Sequence, residues 1–293
     1  MTDLSNITLD TLKAGWISPH LHAAVLRLDK LHPEVSGNKW FKLKYNISIA
    51  RENNKGILTF GGAYSNHIAA TAMACKLANI PCIGIIRGEE LEQNLNHTLK
   101  LAKDNGMQLR FTDRNSYRNK TSFATQYPDY LIVPEGGHNA AGAKGCEEIL
   151  TIHPTNDYSH ILCAAGTGTT LAGLINSAAP HQKVIGIPVL KGATFLEQEV
   201  AALLSPDHRA EWELLYQFHG GGYGKSSREL INFMNSLYQE TLLPTDIIYT
   251  GKMLMAFHQL SLQSWFPAGS RVLMIHTGGL QGNLSLAPNV LLF

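Results

Sequence analysis

The stretch HILCAAGTGTTLAGLINSA, residues 160–178, decides the fold. Its first six residues are a continuous apolar run, the mark of a strand buried on both faces. Gly166 to Thr170 then break the run, and GTTLAGLINSA (168–178) follows with a helical pattern. A strand, a Gly/Thr turn and a helix in that order form half of a βαβ unit.

The same sequence of signals recurs along the chain. Apolar runs bounded by Gly, Pro or Asn stand at 56–60 (GILTF), 81–86 (PCIGII), 108–112 (QLRFT), 130–135 (YLIVPE), 183–190 (KVIGIPVL) and 271–276 (RVLMIH). Helix-like segments at 69–78, 95–105 and 140–150 lie between them. Alternating strands and helices predict an α/β fold whose mainly parallel sheets are covered by helices.

In such sheets ligands gather at the carboxyl ends of strands. Four of those ends are Gly-rich: GGAYSNH (61–67), GGHN (136–139), GTGTT (166–170) and TGG (277–279). Ser65 and Asn66 fall at a helix start, where capping alone accounts for both residue types. The two glycines before them allow something to approach the backbone closely. GTGTT offers N–H groups and hydroxyls at a helix N-terminus, suited to phosphate, and equally reads as a tight turn. It lacks the third glycine of a dinucleotide fingerprint and the lysine of a Walker loop.

SGNKWFKL (36–43) opens another helix. It places Lys39 and Lys42 on one face, where like charges repel. Both side chains could snorkel to water. A phosphate dianion would instead turn the repulsion into binding. A lysine desolvated beside a second cation also has a lowered pKa and becomes nucleophilic. A reactive lysine plus a phosphate cradle points to pyridoxal 5'-phosphate held as a Schiff base.

Taken together, SGNKWFKL, GGAYSNH, VPEGGHNAAGAKG (133–145), GTGTTLAG (166–173), YTGKMLMA (249–256) and HTGG (276–279) resemble, in order, the 1-aminocyclopropane-1-carboxylate deaminase / D-cysteine desulfhydrase family. The resemblance runs from about residue 29 to 283. It implies the tryptophan-synthase-β-like fold (fold type II), with residues 1–45 and 150–293 as a large cofactor-binding domain and 46–149 as a small α/β domain. It implies Lys39 as the cofactor-bearing lysine, Lys42 at the phosphate, and Asn66 at the cofactor 3-hydroxyl. Ser65 matches a serine facing the substrate carboxylate. Gly166, Thr167, Gly168, Thr169 and Thr170 match the phosphate loop, and Tyr223 and Tyr249 match tyrosines flanking the substrate. Thr277, and Thr250 in the slot after the second tyrosine, match positions on the pyridine-nitrogen side.

The last two positions bear on the reaction. Ring-opening members carry Glu and Leu there, whereas desulfhydrase-type members carry Ser or Thr. Thr250 and Thr277 therefore favour D-cysteine desulfhydration, with cyclopropane ring opening as the alternative. Tyr64 departs from the glutamine usual before the Ser-Asn pair. A serine hydrolase built on Ser65, or a non-catalytic binder of the cofactor, stands outside this class; the GxSxG elbow expected of such a hydrolase is absent. His67 and His276 read as structural hydrogen-bonders.

Composition limits the partners. With 24 basic and 23 acidic residues the chain has no excess for nucleic acid or an anionic membrane. The four cysteines form no CxxC pair and predict free thiols. The first sixteen residues lack a signal-peptide pattern, and no apolar run reaches membrane-spanning length. The expectation is a cytoplasmic enzyme for a small amino acid, binding no metal and, by resemblance, homodimeric.

Overall fold

The computed structural model describes residues 3–35 and 37–293. Ser36, the first residue of SGNK, lies outside them. The described residues form ten strands: β1 (Leu9–Thr11), β2 (His22–Arg27), β3 (Gly56–Gly61), β4 (Cys82–Arg87), β5 (Gln108–Thr112), β6 (Tyr130–Val133), β7 (His160–Ala165), β8 (Lys183–Pro188), β9 (Glu211–Leu214) and β10 (Arg271–His276). The α-helices are α1 (Asn38–Glu52), α2 (Asn66–Ala78), α3 (His97–Asp104), α4 (Arg114–Arg118), α5 (Lys120–Gln126), α6 (Ala140–Cys146), α7 (Thr169–Ser177), α8 (Leu196–Ala201), α9 (Arg228–Thr241) and α10 (Thr250–Leu262).

The strands make two sheets, β1-β2-β10-β7-β8-β9 and β5-β4-β3-β6. Every pairing is parallel except β1 with β2. The expected strands are all there. Three were missed: β1, β2 and β9. HAAVLR carries two alanines, poor strand formers, yet it pairs in parallel with β10 along its whole length. Burial rather than propensity sets its state. EWEL is a short, mixed-polarity edge strand.

The six-stranded sheet is covered on both faces. One core joins Leu26, Ile161, Leu174 and Ile275; the other joins Val25, Leu162, Phe257 and Met274. A third core, with Ile57, Ile68, Cys75 and Val133, belongs to the four-stranded sheet. Helix α1 serves two of them. Phe41 packs into the first, and Leu43, Ile47 and Ala50 pack into the third.

Small residues let α1 approach its neighbours. A Cβ on Gly145 of α6 would sit 1.8 Å from the Phe41 carbonyl oxygen. A Cβ on Gly173 of α7 would sit 2.6 Å from the Ala143 carbonyl oxygen. The run AAGAKG is thus a packing surface that sets α1 against α6 and α6 against α7. All four cysteines are buried and free. Among the described residues no helix is long and apolar enough to cross a membrane.

Candidate active site

The start of α1 is tied to the end of β10. Gly37 has φ +64°, and a Cβ there would fall 1.8 Å from the Thr277 carbonyl oxygen, so only glycine fits. The Asn38 N–H donates to that same oxygen at 3.1 Å. Lys39 and Lys42 then project from one face toward loops at the ends of both sheets. The Lys39 Nζ donates to Asn38 Oδ1 at 2.9 Å, and Asn38 Nδ2 donates to Thr170 Oγ1 at 2.7 Å. The Lys42 Nζ donates to the Gly136 carbonyl at 3.2 Å. Neither ammonium has an ion-pair partner among the described residues.

The consequence is electrostatic. Burial, and then the charge of Lys42, lowers the Lys39 pKa to about 7. Burial also lowers Lys42. A lysine near 7 is a usable nucleophile and base at neutral pH.

Two helix N-termini face these lysines. In the first, Ser65 caps α2: its Oγ accepts from the Ile68 N–H at 3.3 Å. The capping reading of Ser65 is therefore what the geometry shows, and the same side chain also lines the cavity. Asn66, 7% exposed, has an Oδ1 with no hydrogen-bond partner among the described residues. In the second, Gly168 starts α7 with φ +81° and no side-chain cap. The first N–H groups of α7 are left to an outside acceptor.

These parts surround a cavity of about 720 Å³. Lys39, Lys42, Ser65 and Asn66 line it, as do Gly166, Thr167, Gly168 and Thr170. Tyr223, Tyr249 and Thr277 close further sides. The two tyrosine rings meet edge to face at 6.2 Å, and the Lys39 Nζ lies 5.8 Å from the Tyr249 ring centre. Burial, with Tyr223 adding to it, raises the Tyr249 pKa well above the ordinary value, so its phenol keeps its proton.

The side chains of two expected cofactor residues, Thr250 and Thr169, do not line the cavity. Thr250 is buried, and its hydroxyl donates to Asp246 Oδ2 at 2.6 Å. Thr169 is buried with its hydroxyl 3.0 Å from His138 Nδ1 and 3.1 Å from Thr167 Oγ1. In both, a nearer polar partner captures the side chain.

The histidines behave as the sequence suggested. His67 Nε2 lies 2.8 Å from Thr59 Oγ1, whose own proton goes to the Val133 carbonyl at 2.7 Å. The imidazole must then be the donor, with its proton on Nε2. Burial and the two lysine charges hold its pKa well below the usual range. His276 Nε2 donates to the Pro244 carbonyl at 2.8 Å. Among the described residues no histidine hydrogen-bonds Ser65, an arrangement that a serine hydrolase needs.

Sequence reasoning missed several contributors. Asp246 is fully buried, and its two oxygens accept from the N–H groups of Ile248, Tyr249 and Thr250 at 2.8–2.9 Å, besides the Thr250 hydroxyl. It anchors the turn that presents Tyr249. An Asp just before a helix is a capping signal that could have exposed it. Lys252, also buried, donates to the Gly222 carbonyl at 2.6 Å and so holds the loop carrying Tyr223. His138 pairs with Glu199 at 2.6 Å across the cavity wall. No sequence pattern marked that pair.

The lining fits pyridoxal phosphate: a low-pKa lysine, an uncapped helix start for an anion, and an orphaned buried amide oxygen. Gly279, with φ +92°, adds a surface that a side chain would close, since a Cβ there would fall 2.8 Å from Asn66 Nδ2.

Comparison with known proteins agrees. Over 280 residues the chain is 27% identical to a Pyrococcus horikoshii protein provisionally named 1-aminocyclopropane-1-carboxylate deaminase, covering 88% of this chain and 84% of the relative. It is also 27% identical to a Klebsiella pneumoniae D-cysteine desulfhydrase, over 94% of this chain and 92% of that one. A solved structure described as an ACC deaminase homologue superposes with a TM-score of 0.78 at 23% identity, covering 95% of this chain and 90% of the other, which establishes fold type II. Residues 10–278 match the model of the pyridoxal-phosphate dependent enzymes, and the chain belongs to that family.

Proposed function

We propose that the chain is a lyase that eliminates a β-substituent from a small amino acid, with D-cysteine as the substrate and pyruvate, ammonia and sulfide as products. One observation carries this reading. Lys39, with its pKa near 7, stands between an uncapped helix start and a serine-capped one.

Pyridoxal phosphate held there would supply an electron sink for the pair left on the substrate's α-carbon. Lys39 would bear it, Lys42 and the Gly166–Thr170 loop would hold its phosphate, and Asn66 its 3-hydroxyl. Thr277 would sit by the ring nitrogen.

The chain's own groups do the rest. The Lys39 amine, uncharged in a large share of molecules at neutral pH, takes the α-proton onto Nζ. The Ser65 hydroxyl still has its proton to donate, because as a cap it only accepts. With the N–H groups of α2's first turn it orients the substrate carboxylate. The Tyr249 phenol, protonated at neutral pH, can give its proton to the departing sulfur.

Ring opening of 1-aminocyclopropane-1-carboxylate is the second reading, and Asp246 is the observation on its side. A Cβ on Gly279 would lie 3.8 Å from Asp246 Cγ, so a carboxylate stands behind the ring-nitrogen segment. Four donors already fill its oxygens, however, and Thr277 rather than an acid faces the cavity. A hydroxyl there withdraws less charge, which suits a good leaving group.

The test is the protein reconstituted with pyridoxal phosphate and offered both enantiomers of cysteine and the cyclopropane acid. Pyruvate from D-cysteine, absent in Lys39→Ala, is the expected result. Production of 2-oxobutanoate with no pyruvate from cysteine would replace the first reading by the second.

A further inference from the structure

Among the described residues the cavity lining holds three cations without an ion-pair partner, and the reading above uses two. The third is Arg87, the last residue of β4. Strand β4 runs parallel to β3 with Ile86 opposite Gly61, so Arg87 stands beside the loop that leads to Ser65. Its guanidinium lies 5.6 Å from the Tyr117 ring centre, and a Cβ on Gly62 would be 3.7 Å from one of its terminal nitrogens. It is exposed, lines the cavity, and makes no hydrogen bond or ion pair with the described residues. Glu89 and Glu90, which follow it, do not pair with it.

The other charges at this rim are satisfied. Lys120 stands over Phe60 and Tyr117, 5.4 Å from each ring centre, and pairs with Glu135 at 3.3 Å. Glu199 has His138 as its hydrogen-bond partner, and burial lowers the His138 pKa. Arg87 is thus a charged group at this rim with no hydrogen-bond or ion-pair partner of its own among the described residues. An arginine packed against an aromatic ring keeps its N–H edge free, and that edge matches a carboxylate. The substrate's own carboxylate has Ser65 and the start of α2.

We propose that Arg87 forms a subsite for a second anionic group on the substrate, so that the preferred substrates are β-substituted amino acids whose departing group carries a carboxylate or similar anion. This rests on the lyase reading, under which D-cysteine is the minimal substrate. In each reaction the α-proton leaves to Nζ, the Cβ–S bond breaks, and its electron pair departs on sulfur. The three-carbon remainder takes up water and loses ammonia to give pyruvate, so no oxidant or reductant is needed.

Two substrates of equal size isolate the charge: S-carboxymethylcysteine, which releases mercaptoacetate, and its amide, S-carbamoylmethylcysteine. The holoenzyme is expected to favour the acid in kcat/KM by about tenfold, the worth of one charge-assisted contact. In Arg87→Gln the two should react at similar kcat/KM, and Arg87→Lys should retain part of the preference. Glutamate should likewise inhibit more strongly than glutamine, neither having a leaving group, and Arg87→Gln should erase that difference. An unchanged acid preference in Arg87→Gln overturns the subsite. So does an equal loss on the acid, the amide and D-cysteine, which would place Arg87 on the shared α-carboxylate. Turnover of D-cysteine without charge preference sinks the subsite and spares the lyase reading. No turnover or inhibition by any of these compounds removes both.

Discussion

The loops after β3 and β7 start alike and end differently. Each leaves a buried parallel strand, passes through glycine, and opens a helix that points at Lys39. In the first, the Ser65 side chain closes the helix itself. In the second, Gly168 takes a left-handed conformation and no side chain closes it. One helix start offers a hydroxyl with a free proton; the other offers bare N–H groups. A planar carboxylate suits the first and a phosphate the second. Two copies of one local design thus acquire different ligands from a single capping position.

Gly168→Ala should break this contrast most strongly. A left-handed alanine costs about 1–2 kcal/mol. The new Cβ would also stand 2.8 Å from Val200 Cγ2. Pyridoxal phosphate affinity, followed by its absorbance, should fall by at least about tenfold, with a lower Tm. Ser65→Ala should cost about 1 kcal/mol of stability from the lost cap, read in denaturant, and raise KM for the amino acid. Thr167→Ala, one residue before the uncapped start of α7, should cost less than half of that, because its hydroxyl meets only Thr169.

The smallest effect is one of pH. Because burial and Lys42 lower the Lys39 pKa, its amine frees its proton well below the range of an ordinary lysine. Labelling of the cofactor-free protein by an amine-selective reagent should therefore reach half its maximum at Lys39 near pH 7. Surface lysines need about pH 10. In Lys42→Met the midpoint should move upward, since a neighbouring charge is gone.

Much of this was legible in the chain. Strands β7 and β10 begin and end where their apolar runs do, because both faces are buried and the turn residues bound them sharply. Lys39 and Lys42 were legible as a pair because a helix has a known period. The direction of the Thr250 hydroxyl was not legible, because the sequence cannot say which way a hydroxyl turns, and Asp246 lay nearer than the cavity. Arg87, the His138–Glu199 pair and Lys252 were invisible for a related reason. Each gets its meaning from a partner far away in the chain, or from lacking one.

By itself the sequence determined the parallel α/β class, the position of the helix starts, and the two lysines that had to face something. Those follow from periodicity and turn chemistry, which act over a few residues. The tertiary structure decided what the lysines face. Gly145 lets α1 touch α6 at Phe41, and Gly37 lets α1 begin against Thr277. Those two close approaches carry Lys39 to the ends of both sheets and bury it there. Its lowered pKa comes from the desolvation and neighbouring charge that only the assembled chain supplies.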